Sequence, residues 1–287
     1  MADLSVPDVR AQQLRDLVDA IVVTPVGDDV FSARSPDFWG EERVFGGMVV
    51  AQTLNAALRT VEGLRPHSLH GYFLRPVRPG PPTTLTVERL RDSRSFATRQ
   101  VTAEQAGKTT SRMTCSFHVD EDGDEYQLPM PPVPSPEEIA SGGKPPGPFD
   151  ERDVGPLVEA DGTLRSSGRL WLRAGASLPD DEDVQVCMVG LLSDMTRTSF
   201  RPLSLGTWGT HTDASIDHAL WLHRPARADE WLFYDLQAVV NTAGRSVVRG
   251  SMYTRDGSLC LSMAQELLIR PLPGQGGPAP WIATGSG

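Results

Sequence analysis

Two stretches of this chain are apolar on nearly every side of the helix that their composition predicts. The first runs from Met48 to Val61 and the second from Val184 to Phe200. A helix on the surface of a globular protein keeps a polar face, whereas one that is apolar all round must be buried on most sides. Any fold for this chain therefore has to cover two separate helices.

A set of strands follows each of these helices, and the two sets repeat one another. The predicted strands after the first helix are Ser68–Leu74, Leu85–Leu90, Ser95–Gln105 and Thr109–Val119. Those after the second helix are Ala214–Leu222, Leu232–Asn241, Ser246–Arg255 and Cys260–Ile269. The turn residues Gly107 and Gly257 lie 150 residues apart, and the helices match at an offset of 140. A repeat of this length indicates two copies of one domain-sized unit.

A curved antiparallel sheet can wrap a buried helix, and this arrangement is the hot-dog fold. We therefore predict an α+β protein, a tandem double hot-dog in which two long central helices are each wrapped by antiparallel strands forming one continuous sheet. The N-terminal unit takes residues 1–128 and the C-terminal unit residues 166–272. A Pro-rich linker, residues 129–165, joins them because so many prolines cannot enter a sheet, and residues 273–287 form a loose tail.

Composition excludes several classes of function. The formal net charge of -10 argues against nucleic-acid binding, which needs a basic field. No apolar run reaches the roughly 18 residues of a membrane span, and the N-terminus lacks a signal-peptide pattern. Three single cysteines are read as core thiols, so we expect a cytoplasmic protein. The absence of C-x-x-C and H-x-x-x-H pairs predicts no metal and no cofactor.

Three apolar segments each carry one polar residue that a buried site would use. Asp194 stands within the run VCMVGLLSDM, Ser215 opens SIDHALWLHRP, and Gln265 stands within LCLSMAQELLI. A carboxylate in such a run is either a buried base with a raised pKa or a residue on the one solvent-exposed side of the helix. The serine has no Gly-x-Ser-x-Gly turn around it, which argues against a nucleophile. A buried amide must find partners, and it suits the positioning of other groups.

Several other residues could have either a functional or a structural role. Gly46 and Gly47, at the start of the first helix, either present backbone N–H groups to a substrate oxygen or allow close packing. His218 and His223 are read as structural imidazoles. The scattered arginines either meet a phosphorylated ligand or form a solvated face, and they are Arg65, Arg75, Arg78, Arg91 and Arg94.

The chain resembles the acyl-CoA thioesterase II family. The resembling motifs are VFGG (44–47), HSLHGYFLRP (67–76), the SF of RDSRSFATRQV (91–101), MTCSF (113–117), LLSD (191–194), SIDHALWLHRP (215–225), EWLFY (230–234), RGSMYTRDG (249–257) and QE (265–266). Each motif is short, but their order and spacing together are specific. They extend from about Val30 to Arg270, which is most of the chain.

The resemblance implies double hot-dog enzymes that hydrolyse fatty acyl-CoA thioesters in lipid metabolism. It implies catalytic roles for Asp194, Ser215 and Gln265, which hold and activate a water without a covalent acyl-enzyme. The acyl-CoA substrate is the expected partner, together with further copies of the chain in a dimer or tetramer. The positions that match Asp194 and Gln265 in the first copy are Leu54 and Cys115, which predicts one active site per chain.

Two alternatives stay open at this point. A non-catalytic acyl-CoA binder would share the fold. A hot-dog enoyl-CoA hydratase would use an Asp and a His, and Asp213 and His218 have the hydratase spacing. However, the hydratase motif carries Asn-Pro and precedes the long helix, whereas here the pair lacks Asn-Pro and follows it.

Overall fold

The computed structural model describes residues 6–38, 42–141, 147–155, 157–158, 164–165, 168–195 and 211–271. The helices in these ranges are α1 (Val6–Ile21), α2 (Gly46–Leu58) and α3 (Glu182–Leu192). The strands are β1 (Thr24–Gly27), β2 (Val30–Ala33), β3 (Arg65–Phe73), β4 (Thr83–Asp92), β5 (Phe96–Gln105), β6 (Lys108–His118), β7 (Phe149–Asp153), β8 (Leu157–Val158), β9 (Leu164–Arg165), β10 (Leu170–Ala174), β11 (His211–Ser215), β12 (Asp217–Leu222), β13 (Leu232–Thr242), β14 (Arg245–Thr254) and β15 (Leu259–Pro271).

One antiparallel sheet runs through both halves of the described chain. Its strand order is β1-β2-β4-β5-β6-β3-β12-β15-β14-β13-β10-β7, and β11 pairs with β15 beside this path. The halves join where β3 pairs with β12, with Leu69 opposite Leu220. The predicted α+β class and the single continuous antiparallel sheet are therefore confirmed.

The two apolar helices pack against each other and form the centre of the core. Every residue of α2 from Gly47 to Ala57 is buried, and α2 contacts α1, α3 and the strands β3 to β6. In α3, Gly190 lies against Leu54 and Val50 of α2. The main apolar cluster extends from these helices into both halves of the sheet. The described helices include none that is long and apolar enough to cross a membrane.

Both central helices are shorter than predicted. The first ends at Leu58 instead of Val61, where the Thr60 hydroxyl donates to the Ala57 carbonyl at 2.8 Å. The second ends at Leu192, and the predicted extension over residues 196–200 lies outside the described residues. The prediction of two long helices failed at their ends because Ser193 and Asp194, beyond α3, are buried as well. A run of buried residues does not by itself mark where a helix stops.

The predicted strand Ala214–Leu222 is two strands with a break at Ile216. This residue leaves the regular ladder, although its N–H donates to the Glu266 carbonyl and its carbonyl accepts from Phe73. The break lies between the part of the segment that faces β15 alone and the part that lies between β3 and β15. Ser215 is therefore the last residue of β11.

The Pro-rich segment covers a second apolar cluster. Residues 129–141 form no strand, as predicted from their prolines, but Met130, Val133 and Ile139 pack on this cluster. Its buried members are Trp171, Trp231, Phe233 and Tyr253. Residues 149–153 lie inside the range predicted as linker, yet they form β7 at the edge of the sheet. The predicted tail, residues 273–287, lies outside the described residues.

All three cysteines are buried free thiols, as the sequence predicts. Burial raises the pKa of Cys115 and of Cys260 to about 12. Burial also raises the pKa of Cys187 well above its ordinary value. These thiols stay protonated at neutral pH and are unsuited to act as nucleophiles.

Candidate active site

Three elements that are distant in sequence bring the three predicted site residues together. Asp194 follows the end of α3, Ser215 ends β11, and Gln265 lies inside β15. The Gln265 Nε2 atom lies 2.7 Å from Asp194 Oδ1 and 2.6 Å from Ser215 Oγ. Gln265 is 1% exposed and Asp194 4% exposed, so these contacts form in a nearly dry environment.

The hydrogen-bond chemistry of this cluster is determined by the carboxylate. An ionised carboxylate only accepts hydrogen bonds, so the Gln265 amide must turn its NH2 group toward Asp194. The second proton of the same NH2 group is then donated to Ser215 Oγ. Because Ser215 accepts this bond, its own O–H proton is available for another acceptor. Gln265 thus spaces the carboxylate and the hydroxyl on either side of its nitrogen.

Asp194 and Ser215 both line a cavity of about 720 Å³. Gly46 also lines it, and a Cβ atom at Gly46 would lie 2.6 Å from Asp194 Oδ2. Glycine therefore leaves the space beside the second carboxylate oxygen open. Gly47 has a different role, because a Cβ there would collide with the Leu191 carbonyl oxygen of α3. The two predicted glycines thus separate into one at the cavity and one at the helix–helix contact.

The start of α2 is uncapped, in contrast to that of α3. No side chain caps the first turn of α2 at Phe45, which lines the same cavity. The first N–H groups of a helix have no partner within it and carry partial positive charge. At the start of α3, by contrast, the Asp181 carboxylate accepts from the N–H groups of Asp183 and Val184. The start of α2 therefore keeps its first N–H groups free of side-chain caps and can offer donors to an oxygen of a ligand.

His218 lies behind Asp194 and not on the cavity wall. It is 0% exposed, and its Nε2 atom lies 2.8 Å from Ser193 Oγ. Its Nδ1 atom lies 4.0 Å from Asp194 Oδ1. Burial lowers the pKa of His218 to about 4, so the ring is neutral at neutral pH. His223 fits its structural reading, with Nε2 2.9 Å from Ser262 Oγ.

Two further residues support the site through hydrogen bonds that the sequence does not predict. The Asp217 carboxylate accepts from the Glu266 backbone N–H at 2.6 Å and so fixes the strand next to Gln265. Burial raises the pKa of Asp217. The Tyr234 hydroxyl donates to the Ser193 carbonyl at 2.6 Å. The first bond joins two strands and the second joins β13 to the end of α3, so both link elements that are far apart in sequence and no local pattern predicts them.

Only part of the predicted arginine set lies at this cavity. Arg75 and Arg78 line its rim, together with Arg43, which sequence analysis did not single out although it precedes the VFGG motif. Arg94 lines a second cavity of about 460 Å³ at the other end of α2, where the buried Arg99 also lies. Arg65 and Arg91 line neither of these two cavities.

The first half of the chain carries different groups at the positions that the sequence repeat predicts to be equivalent. The repeat matches Gln265 with Cys115, which is buried in β6. The predicted match of Asp194 with Leu54 is not structural, because Leu54 lies inside α2 whereas Asp194 follows α3. The residue that follows α2 at the same distance is Thr60, whose side chain contacts the buried Arg99 at 2.9 Å. The described residues also contain no cluster of His, Cys, Asp or Glu that could hold a metal ion.

Comparison with known proteins gives two family models that together span most of the chain. The acyl-CoA thioesterase N-terminal domain matches residues 35–118, and the acyl-CoA thioesterase C-terminal domain matches residues 120–269. The chain is 31% identical to acyl-CoA thioesterase 2 of Haemophilus influenzae, over 90% of this chain and 98% of that protein. It is 30% identical to acyl-coenzyme A thioesterase 8 of Rattus norvegicus, over 87% of each chain.

Solved structures extend this similarity to the fold. The structure of an acyl-CoA thioesterase II from Mycobacterium marinum is 33% identical and superposes with a TM-score of 0.79, over 90% of this chain and 99% of that one. A hot-dog protein from Alicyclobacillus acidocaldarius is only 18% identical but has a TM-score of 0.74, over 89% of this chain and 98% of that one. At that identity the likeness shows the hot-dog fold alone.

Proposed function

This chain belongs to the acyl-CoA thioesterase II family, and from this premise we propose that it hydrolyses fatty acyl-CoA thioesters to free fatty acid and CoA. The observation that carries the proposal is the cluster of Asp194, Ser215 and Gln265 at the wall of a cavity beside an uncapped helix start. A base, a hydroxyl donor and a positioning amide are the groups that activate a water for attack on a carbonyl carbon.

The proposed reaction forms no covalent acyl-enzyme. Asp194 takes a proton from a water that Ser215 helps to hold, and the resulting hydroxide adds to the thioester carbonyl carbon. The C–S bond then breaks, its electron pair leaves with CoA as a thiolate, and the fatty acid is released. The thiolate takes up a proton from the carboxyl group or from solvent. Thiolates leave easily, so one base and one positioned water suffice.

The thioester oxygen gains negative charge in this step, and we assign its stabilisation to the start of α2. The Gly46 backbone lies at the cavity beside Asp194 Oδ2, where the side chain of any other residue would intrude. An N–H group in this uncapped first turn can donate to the oxygen, and the helix dipole favours the charge. Gly47 supports this arrangement indirectly by letting α2 approach α3.

The walls of the cavity match the two ends of an acyl-CoA molecule. The lining includes apolar side chains, among them Val44, Phe45, Val49, Phe73, Leu267 and Leu268. It also includes the guanidinium groups of Arg43, Arg75 and Arg78, together with Glu42 and Asp213. We propose that the apolar part takes the acyl chain and that the arginines meet the phosphates of CoA, since guanidinium groups bind phosphate well.

We also propose that the chain is a tandem double hot-dog with one active site. The join of β3 to β12 supports a reading of the sheet as two units side by side. The capped start of α3 and the buried thiol of Cys115 support the loss of the second site. In this proposal, the N-terminal unit spans residues 1–128 and the C-terminal unit residues 166–272.

The alternatives make different predictions in one experiment. Release of free thiol from acyl-CoA is expected for the thioesterase, whereas an acyl-CoA binder releases none and a hydratase consumes only the enoyl double bond. His218 is buried and does not line the cavity, which disfavours a hydratase that needs a histidine at the substrate. A ladder of acyl-chain lengths in the same assay defines the preferred substrate. Absence of thiol release at every length would refute the proposed activity.

The cellular setting and assembly are part of the same proposal. We propose a cytoplasmic enzyme of fatty acid metabolism that forms a homo-oligomer, either a dimer or a tetramer. It works with no metal or organic cofactor, because water activation by a carboxylate needs neither. Light scattering of the purified protein measures its mass in solution, and a value of one chain would refute the oligomer. Activity lost to a chelator and restored by zinc would overturn the metal-independent scheme.

A further inference from the structure

One ring nitrogen of His218 has no partner in the described structure. The Nδ1 atom is buried and makes no hydrogen bond with any described residue, although it lies 4.0 Å from Asp194 Oδ1. Buried polar atoms in proteins are nearly always hydrogen-bonded, because an unsatisfied one destabilises the fold. This exception lies against the carboxylate of the proposed active site.

The neighbours of Ser193 determine which ring nitrogen carries the proton. The Ser193 hydroxyl lies 2.7 Å from the Gly190 carbonyl oxygen, which can only accept a hydrogen bond. Its proton is therefore used there, and Ser193 Oγ is left as an acceptor for the contact at 2.8 Å with His218 Nε2. His218 must then donate from Nε2, so Nδ1 carries a lone pair and no proton.

We infer that His218 is a positioning residue that strengthens Asp194 as the base of the proposed reaction. The unprotonated Nδ1 is the negative end of the imidazole dipole and faces the negative carboxylate of Asp194. In a buried site the two repel each other strongly. This opposition favours the protonated form of Asp194, so the carboxylate takes a proton from water more readily. The inference rests on the proposed function, because His218 acts only through Asp194.

Several described groups pack around this pair. From β13, the Tyr234 hydroxyl donates to the Ser193 carbonyl, and burial raises its pKa well above the ordinary value. From β15 and β11 come the uncharged side chains of Gln265 and Ser215. On the strand of His218 itself, Asp217 is turned to the backbone of β15. None of these described groups places a cation between the unprotonated nitrogen and the carboxylate.

The test is the pH dependence of kcat with a saturating acyl-CoA. His218→Gln keeps a donor near the position of Nε2 but removes Nδ1, and Ser193→Ala frees the ring to turn an N–H toward Asp194. In both variants we expect the acid limb of the profile to move to lower pH by roughly one unit, with kcat on the plateau reduced by about three- to tenfold and KM within about twofold. His223→Gln, the same substitution five residues along the chain, is the matched control and should not move the acid limb.

The outcomes separate this inference from the proposed function. If the wild type releases no thiol, or Asp194→Asn keeps full activity, the proposed function fails. If both hold but the acid limb stays in place in the His218 and Ser193 variants, only the role of His218 is overturned. Should these variants not fold, long-range ¹H–¹⁵N spectra of the histidines in the wild-type enzyme test the same point. A proton on Nδ1 of His218 at neutral pH would overturn the inference, and a proton on Nε2 alone would support it.

Discussion

Replacement of Asp194 by asparagine tests the proposed chemistry most directly. The substitution exchanges one carboxylate oxygen for an NH2 group of the same size. The new amide oxygen can still accept from Gln265 Nε2, which now lies 2.7 Å from Asp194 Oδ1. The NH2 group then takes the place of Oδ2 beside Gly46. The cluster keeps its shape, but the atom that faces the cavity changes from a base to a donor.

The expected effect follows from the loss of general-base action. This action contributes roughly 10²–10⁴-fold, so kcat should fall by that range, which corresponds to about 3–5 kcal/mol of activation free energy. KM should change less, because the carboxylate acts mainly in the transition state. Stability should be equal or higher, since Asp194 is 4% exposed and a neutral amide is less costly to bury than a carboxylate.

The assay is continuous detection of free thiol with a long-chain acyl-CoA, and thermal unfolding of the same preparation is the control. A fall in kcat with an unfolding midpoint equal to or above that of the wild type is the expected result. Activity within tenfold of the wild type would show that Asp194 is not the base. Intact-mass measurement during turnover of the wild type adds an independent check, because an acyl group on Ser215 or Asp194 would mean covalent catalysis and refute the water-activation scheme.

Three further predictions concern residues around the same site. Gly46→Ala should lower kcat by roughly 10- to 100-fold, because the new methyl group would lie 2.6 Å from the Asp194 carboxylate. Gly47→Ala should instead lower the free energy of unfolding in urea by roughly 1–3 kcal/mol, because its methyl group would collide with the backbone of α3. Gln265→Ala should lower kcat at least tenfold, whereas Cys115→Ser, at the position that the repeat matches with Gln265, should leave kcat within about twofold. Equal losses of kcat in the two variants would contradict the proposal of a single active site. Burial lowers the pKa of His218 from 6.5 in the unfolded chain to about 4 in the folded protein, so its contribution to stability is complete above pH 6.5 and is lost as the pH falls through 4. The free energy of unfolding should therefore drop by about 3 kcal/mol over this window, and by less in His218→Gln.

Much of the architecture is predictable from the sequence because it depends on local periodicity. The all-round apolar character of Met48–Val61 and Val184–Phe200 predicts two buried helices, and the structure has α2 and α3 there. The alternation of apolar and polar residues in the segments that follow each helix predicts the strands of one antiparallel sheet. The ends of the helices were not predictable, because burial continues into the turn that follows α3. The composition of the Pro-rich segment predicts that it forms no strand, but it does not predict that the segment covers an apolar cluster.

The sequence by itself predicted the three site residues, because an Asp, a Ser and a Gln in apolar segments must find polar partners when buried and because the surrounding motifs resemble the acyl-CoA thioesterase II family. Only the tertiary structure decided how these groups divide their hydrogen bonds, that Gly46 borders the cavity while Gly47 packs on α3, and that His218 turns a bare nitrogen to Asp194. These features depend on the directions of side chains that come from elements far apart in the chain. Local periodicity determines which face of an element is buried, but the atoms that meet there are determined by how the elements pack.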